Sequence, residues 1–148
     1  MLTRIYLLLL RVFGNALNLI TGDTLVFDRW LWLKRNLPRT NNGERALDIG
    51  CGSGAFTLAS VLRGYKTTGL SWDLENQKKA QDRAAALNVD DRCGFPVFDA
   101  RELHDFPADD GFDYILNFEN IEHILDDRKL LVNIERHLNP GGYLLLSA

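Results

Sequence analysis

Apolar residues recur along this chain at two spacings, and the alternation between them predicts its architecture. Near the amino terminus, Ile5–Leu10 is an unbroken apolar run between Arg4 and Arg11. It is too short for a spanning helix, which needs about 20 mostly apolar residues. It also lacks the small-residue cleavage site of a secretory leader. The pattern predicts an amphipathic helix running through Leu17–Ile20 and packed on the domain, with a peripheral membrane contact as the alternative. Past Gly22, helical and strand patterns alternate. Asp23 is suited to cap a helix with Val26, Trp30, Leu33 and Leu37 on one face, which Pro38 ends. Arg45–Ile49 reads as a short buried strand, Ala55–Leu62 as a helix that Gly64 terminates, and Lys66–Leu70 as a second strand. Asp73 caps a helix whose apolar side is Leu74, Ala80, Ala84 and Leu87. Phe95–Phe98 and Phe112–Leu116 are the third and fourth strands, both holding aromatic and β-branched residues. Asp126 caps the last helix, with Leu130, Leu131, Ile134 and Leu138 inward, an acidic start and a basic end. Asn139-Pro140-Gly141-Gly142 then turns the chain into a fifth strand, Tyr143–Ser147.

Such alternation implies an α/β domain, a parallel sheet covered on both faces and joined by right-handed crossovers. Ligands on such sheets bind at the carboxyl ends of the strands, so the loops after strands one to four are the ones to inspect. The chain divides into an amino-terminal amphipathic segment, 1–22, and a core, 23–148.

Bulk properties narrow the function without naming it. The 148 residues suit one domain, and a content of 46% hydrophobic and 25% charged residues excludes a disordered or disulfide-stapled chain. A net charge of −3 offers no basic surface for a nucleic acid backbone. Cys51 and Cys93 are too few for a disulfide framework and suggest a reducing compartment, hence the cytoplasm.

The strongest local signal is Leu47-Asp48-Ile49-Gly50-Cys51-Gly52-Ser53-Gly54, which leaves a strand and opens a helix. Alternating glycines let backbone approach a ligand closely, and free N–H groups at the helix start face it. Gly50, Gly52 and Ala55 also satisfy the G-x-G-x-x-A dinucleotide spacing. Asp48 discriminates: a carboxylate beside the turn repels a pyrophosphate and attracts an ammonium. A nucleoside joined to an amino acid suits this loop better than a dinucleotide. Cys51 has no base arranged beside it and reads as a small residue the turn permits, not a nucleophile.

This segment resembles the first motif of class I S-adenosylmethionine-dependent methyltransferases. The resemblance continues through Phe98-Asp99-Ala100, Phe112-Asp113-Tyr114-Ile115-Leu116, Glu122-His123 and Leu138-Asn139-Pro140-Gly141-Gly142, over roughly residues 24–148. It implies a Rossmann-like doubly wound sheet of strand order 3-2-1-4-5, stopping before the family's 7-6 hairpin, and therefore a core that is incomplete at its carboxyl end. It also implies that Gly50, Cys51, Gly52 and Gly54 line the methionine and ribose portion of the cofactor, with Asp48 near its amino group. Asp99 would accept from the adenine amine beside the Ala100 backbone, and Asn117, at the end of strand four, would also bind the cofactor. The second strand departs from the family pattern, because Ser71-Trp72 stands where an acidic residue usually grips the ribose. Ser71 there resembles the cyclopropane-fatty-acid-synthase-like branch, in which a later Gln, here Gln77, shares the contact. Trp72 either stacks on adenine or is a core or lid aromatic, and Asp73 is weighted toward an N-cap.

Glu119-x-x-Glu122-His123 resembles the metal-binding segment of ubiquinone-biosynthesis O-methyltransferases and small-RNA 3′-end methyltransferases. The resemblance implies a divalent metal on Glu119, Glu122 and His123. Alternatively, His123 or Glu119 serves as a base or faces the substrate. His104 and His137 read as surface residues. The function expected is methyl transfer to a small-molecule or lipid-like acceptor, oxygen first and carbon second. The alternatives are a non-catalytic or incomplete cofactor-binding module and an NAD-dependent oxidoreductase with the same glycine spacing.

Overall fold

Arg45–Ile49 (β1) is the most deeply placed strand, with Ala46, Leu47, Asp48 and Ile49 all buried. A computed structural model of the chain describes residues 2–13, 24–107 and 110–148. β1 pairs in parallel with Lys66–Leu70 (β2) on one side and Phe112–Phe118 (β4) on the other. Cys93–Gly94 (β3) lies beyond β2 and Leu138–Ser147 (β5) beyond β4, so the order is β3-β2-β1-β4-β5, all parallel. This is the expected order.

Strand alternation sends successive side chains to opposite faces. Ala46, Leu116 and Phe118 pack with Leu33 of helix Thr24–Asn36 (α2) and with Leu37 just beyond its end. Leu47, Ile49 and Ile115 pack with Leu130 and Ile134 of Asp127–His137 (α5), and with Leu103 of the 3₁₀ turn at 100–105. Between Ala55–Val61 (α3) and Leu74–Ala86 (α4), Leu58, Val61, Ala80, Ala84 and Phe95 form a third cluster. Helix Leu2–Phe13 (α1) lies against α4, with the Arg83 guanidinium 5.4 Å from the centre of the Tyr6 ring. The expected helical stretch Leu17–Ile20 and the Asp23 cap lie outside the described residues. Among those described, no helix is long and apolar enough to cross a membrane.

Several expectations are corrected. The third strand is not Phe95–Phe98 but Cys93–Gly94, with Val97 meeting Ser71 in a single bridge. Pro96 has no N–H to give the ladder, and Phe95 turns into the α3–α4 cluster instead. Leu74 and Leu131 are exposed. Leu138 belongs to β5, not to the helix, and 139–142 lie within that strand as a bulge: Phe112 faces Leu138, whereas Tyr114 faces Tyr143. His137 is buried, not on the surface, its Nδ1 2.7 Å from the Asn133 carbonyl and its Nε2 3.0 Å from that of Phe106.

Candidate functional site

The turn after β1 is shaped by three left-handed glycines, Gly50, Gly52 and Gly54, with φ of 79°, 51° and 81°. The N–H groups of Gly50 and Cys51 both donate to the Leu70 carbonyl, at 3.0 and 2.8 Å, and pin the turn to the end of β2. A Cβ at Gly50 would strike the Asn120 carboxamide at 2.6 Å, and one at Gly54 would meet Ala80 at 2.9 Å. A Cβ at Gly52 would meet nothing within 4 Å. Two glycines are thus needed for packing, and the third faces open space.

That space is a cleft of about 400 Å³ at the carboxyl ends of the strands, between Gly50 and Gly52, the segment 70–73 after β2, residues 98–101, and the segment 119–124 after β4. Of the residues singled out from sequence, Gly50, Gly52, Ser71, Trp72, Asp99, Ala100, Glu119 and His123 line it. Ser71 Oγ accepts from the Asp73 N–H at 3.2 Å. The Asp73 carboxylate, also on the wall, accepts from the N–H groups of Glu75 (2.8 Å) and Asn76 (3.2 Å), the N-cap of α4. Trp72 stands exposed on the rim, so it is not a core residue.

The other candidates lie behind the wall. Asp48 is buried beneath the turn, where its carboxylate accepts from the Thr57 hydroxyl at 2.6 Å. Burial pushes its pKa up to about 6, against the opposing pull of the hydrogen bonds from Thr57. Cys51 points inward, Sγ 3.4 Å from Gln77 Oε1. Burial first, and the Asp48 charge second, hold its thiol far above its usual range, the opposite of what an activated thiolate needs. Gln77 is itself buried and donates Nε2 to the carbonyls of Gly69 (2.9 Å) and Pro96, so its amide ties β2 to the following segment and does not face the cleft. Gly54 is covered by Ala80 and Phe95. Asn117 is fully buried with both carboxamide atoms lacking partners.

The segment after β4 is tightly held. Glu119 adopts a left-handed conformation, φ 49°, unusual for a side chain with a Cβ. Its N–H donates to the Ser147 carbonyl at 3.1 Å, and its carboxylate pairs with Arg29 of α2. The structure does not gather Glu119, Glu122 and His123 into a metal site. Glu122 is exposed and off the cleft wall. Among the described residues the one potential ligand group is Glu102, His104 and Asp105, all exposed.

Arg101 and Asn120 are among the cleft residues not singled out from sequence. Arg101 grips Asp99, its Nε donating to both carboxylate oxygens at 2.9 and 3.0 Å. Those bonds hold the Asp99 pKa below its usual value. An acid two residues before an arginine at a strand end was the available signal. Asn120 packs over Gly50 with a buried, unpartnered Nδ2. No spacing rule marks it, because only the folded chain brings it over the turn.

Residues 29–148 match the family described as "Methyltransferase domain". The chain is similar to the 27-O-demethylrifamycin SV methyltransferase of Amycolatopsis mediterranei, 39% identical over 70% of this chain and 38% of that protein. It is 31% identical to the ubiquinone biosynthesis O-methyltransferase of Psychrobacter arcticus, over 71% of this chain and 40% of that one. The crystal structure of YcgJ from Bacillus subtilis superposes with a TM-score of 0.66 at 30% identity, covering 77% of this chain and 47% of its own. The chain spans about two fifths of the length of these two curated relatives.

Proposed function

This chain belongs to the methyltransferase-domain family, and on that premise we propose that its cleft holds S-adenosyl-L-methionine for methyl transfer to a small-molecule acceptor. The observation that carries the reading is the open face of Gly52, in a turn whose neighbouring glycines are closed by packing and whose floor covers a buried carboxylate. A ligand lying there meets bare backbone, the unpartnered Asn120 Nδ2, and the field of Asp48 from beneath. That combination fits an amino-acid tail with a carboxylate and an ammonium. It does not fit a diphosphate, because Arg101, the arginine on the cleft wall, is already engaged by Asp99.

Each wall segment then has a part. Ser71 presents a hydroxyl toward the ribose, Asp99 and the Ala100 backbone face the adenine edge, and Trp72 and Phe98 offer flat apolar surface to a ring. The cofactor supplies a methyl group on a positively charged sulfur, an excellent leaving group. The protein's contribution is to hold the acceptor in line with that methyl and to keep water away. His123 and Glu119 lie on the same wall, and in this reading one of them takes a proton from an acceptor that enters protonated. An oxygen acceptor is the first choice and a carbon acceptor the second. Glu119, Glu122 and His123 do not converge on a point where a metal ion could bind all three.

Equilibrium titration tests the reading directly. Saturable binding of S-adenosylhomocysteine without binding of NAD(H) is the expected result, and the reverse pattern rejects it.

A further inference from the structure

Helix α1 sets Tyr6 against the domain and, among its described side chains, an aliphatic stripe toward water. Tyr6 turns toward α4 and lies under Arg83, which fixes the helix against the domain. Away from that contact, Ile5, Leu8, Leu9 and Val12 follow the i, i+3, i+4, i+7 spacing of a single helical stripe. They are 49%, 61%, 38% and 69% exposed. Four neighbouring aliphatic side chains in water mark a surface that meets something else.

The charges indicate what that is. No Asp or Glu occurs from Met1 to Gly22, whereas Arg4 and Arg11 stand two helical turns apart, in a chain whose net charge is −3. Arg11 is exposed. A second copy docked through the same segment offers the exposed Arg11 no acidic partner there. An anionic lipid surface meets both features at once, because the acyl boundary receives the aliphatic stripe and headgroup phosphates receive Arg11 in a segment of positive charge.

We propose that α1 docks this protein on an anionic bilayer, the helix lying in the headgroup plane with Ile5, Leu8, Leu9 and Val12 inserted. One short helix with two cationic residues gives reversible attachment, not permanent anchoring. The inference is independent of the cleft and its ligand.

Flotation of the 148-residue chain with vesicles tests it. Vesicles of equal parts phosphatidylcholine and phosphatidylglycerol should carry the protein upward, and pure phosphatidylcholine should not. The Leu8→Glu/Val12→Glu variant, altered only at exposed positions, should lower the bound fraction roughly tenfold. Arg11→Glu should weaken binding with the fold intact by circular dichroism, and added salt should do the same. Absence of flotation overturns the proposal, as does equal flotation on uncharged vesicles. Self-association that Leu8→Glu/Val12→Glu abolishes, without vesicle binding, assigns the stripe to a second copy and overturns it too.

Discussion

Asp48 joins the chemistry of the cleft to the stability of the ligand-free domain. Its pKa is raised to about 6, so between about pH 4 and 6 the native chain binds a proton that the unfolded chain has lost. Stability from this group therefore falls as pH rises through that window, and above it the buried charge imposes its full cost. A displacement of about two units corresponds to about 3 kcal/mol as an upper figure. Asp48→Asn keeps an acceptor for the Thr57 hydroxyl and removes the charge. Thermal melts should show the ligand-free variant more stable than the parent at pH 8, with that advantage shrinking toward pH 4. Asp48→Ala should weaken S-adenosylhomocysteine binding severalfold, through loss of the negative charge buried beneath the turn. Calorimetric titration checks this, and unchanged affinity in a folded variant removes Asp48 from the site. At this scale the sequence reveals which residues take left-handed backbone but not what lies above each one. Gly54 looked equivalent to Gly52 until Ala80 and Phe95 covered it. The inward turns of Gln77 and Asn117 were equally invisible, because helical and strand periods fix a face and not the partners waiting there.

The secondary-structure elements were legible wherever period and cap agreed. Asp73 and Asp126 both accept from backbone N–H groups at the starts of their helices, as their positions suggested. Asp73→Ala should lower stability by about 1 kcal/mol, seen as a lower urea midpoint with unchanged slope. A much larger loss of S-adenosylhomocysteine affinity would give that carboxylate a ribose contact as well. The third strand was misplaced because Phe95 belongs to the α3–α4 cluster, Phe98 turns to the other face beside Phe106, and the pairing residues, Cys93 and Gly94, carry no β signature. The α3–β2 turn is less forgiving than its composition suggests. A Cβ at Gly64, φ 108°, would sit 1.9 Å from the Thr40 carbonyl oxygen, which closes the end of α2 onto that turn. Gly64→Ala should therefore destabilise the domain by roughly 2–4 kcal/mol in chemical denaturation.

At the scale of the molecule, the sheet order places burial unequally. β1 has a neighbour on both sides and buried residues on both faces, whereas β3 is two residues long at an edge. Amide hydrogen exchange should be slowest across 46–49 and 115–118 and fastest at Cys93 and Gly94. The same order exposed the site in advance, since glycine-rich turns at the carboxyl ends of central parallel strands are where such sheets bind ligands. The seam between α2 and the cleft was not foreseeable from pattern, because Arg29 and Glu119 are distant in sequence and meet only after β4 and β5 align. That seam has a practical consequence. Of the chain's three tryptophans, Trp72 stands on the cleft rim, and Trp30 and Trp32 belong to the helix that Arg29 ties to Glu119. An occupant that covers Trp72, or draws Glu119 away from Arg29, changes the polarity around an indole. The molecule thus carries a built-in optical gauge, and filling of the cleft can be followed by emission with no label attached.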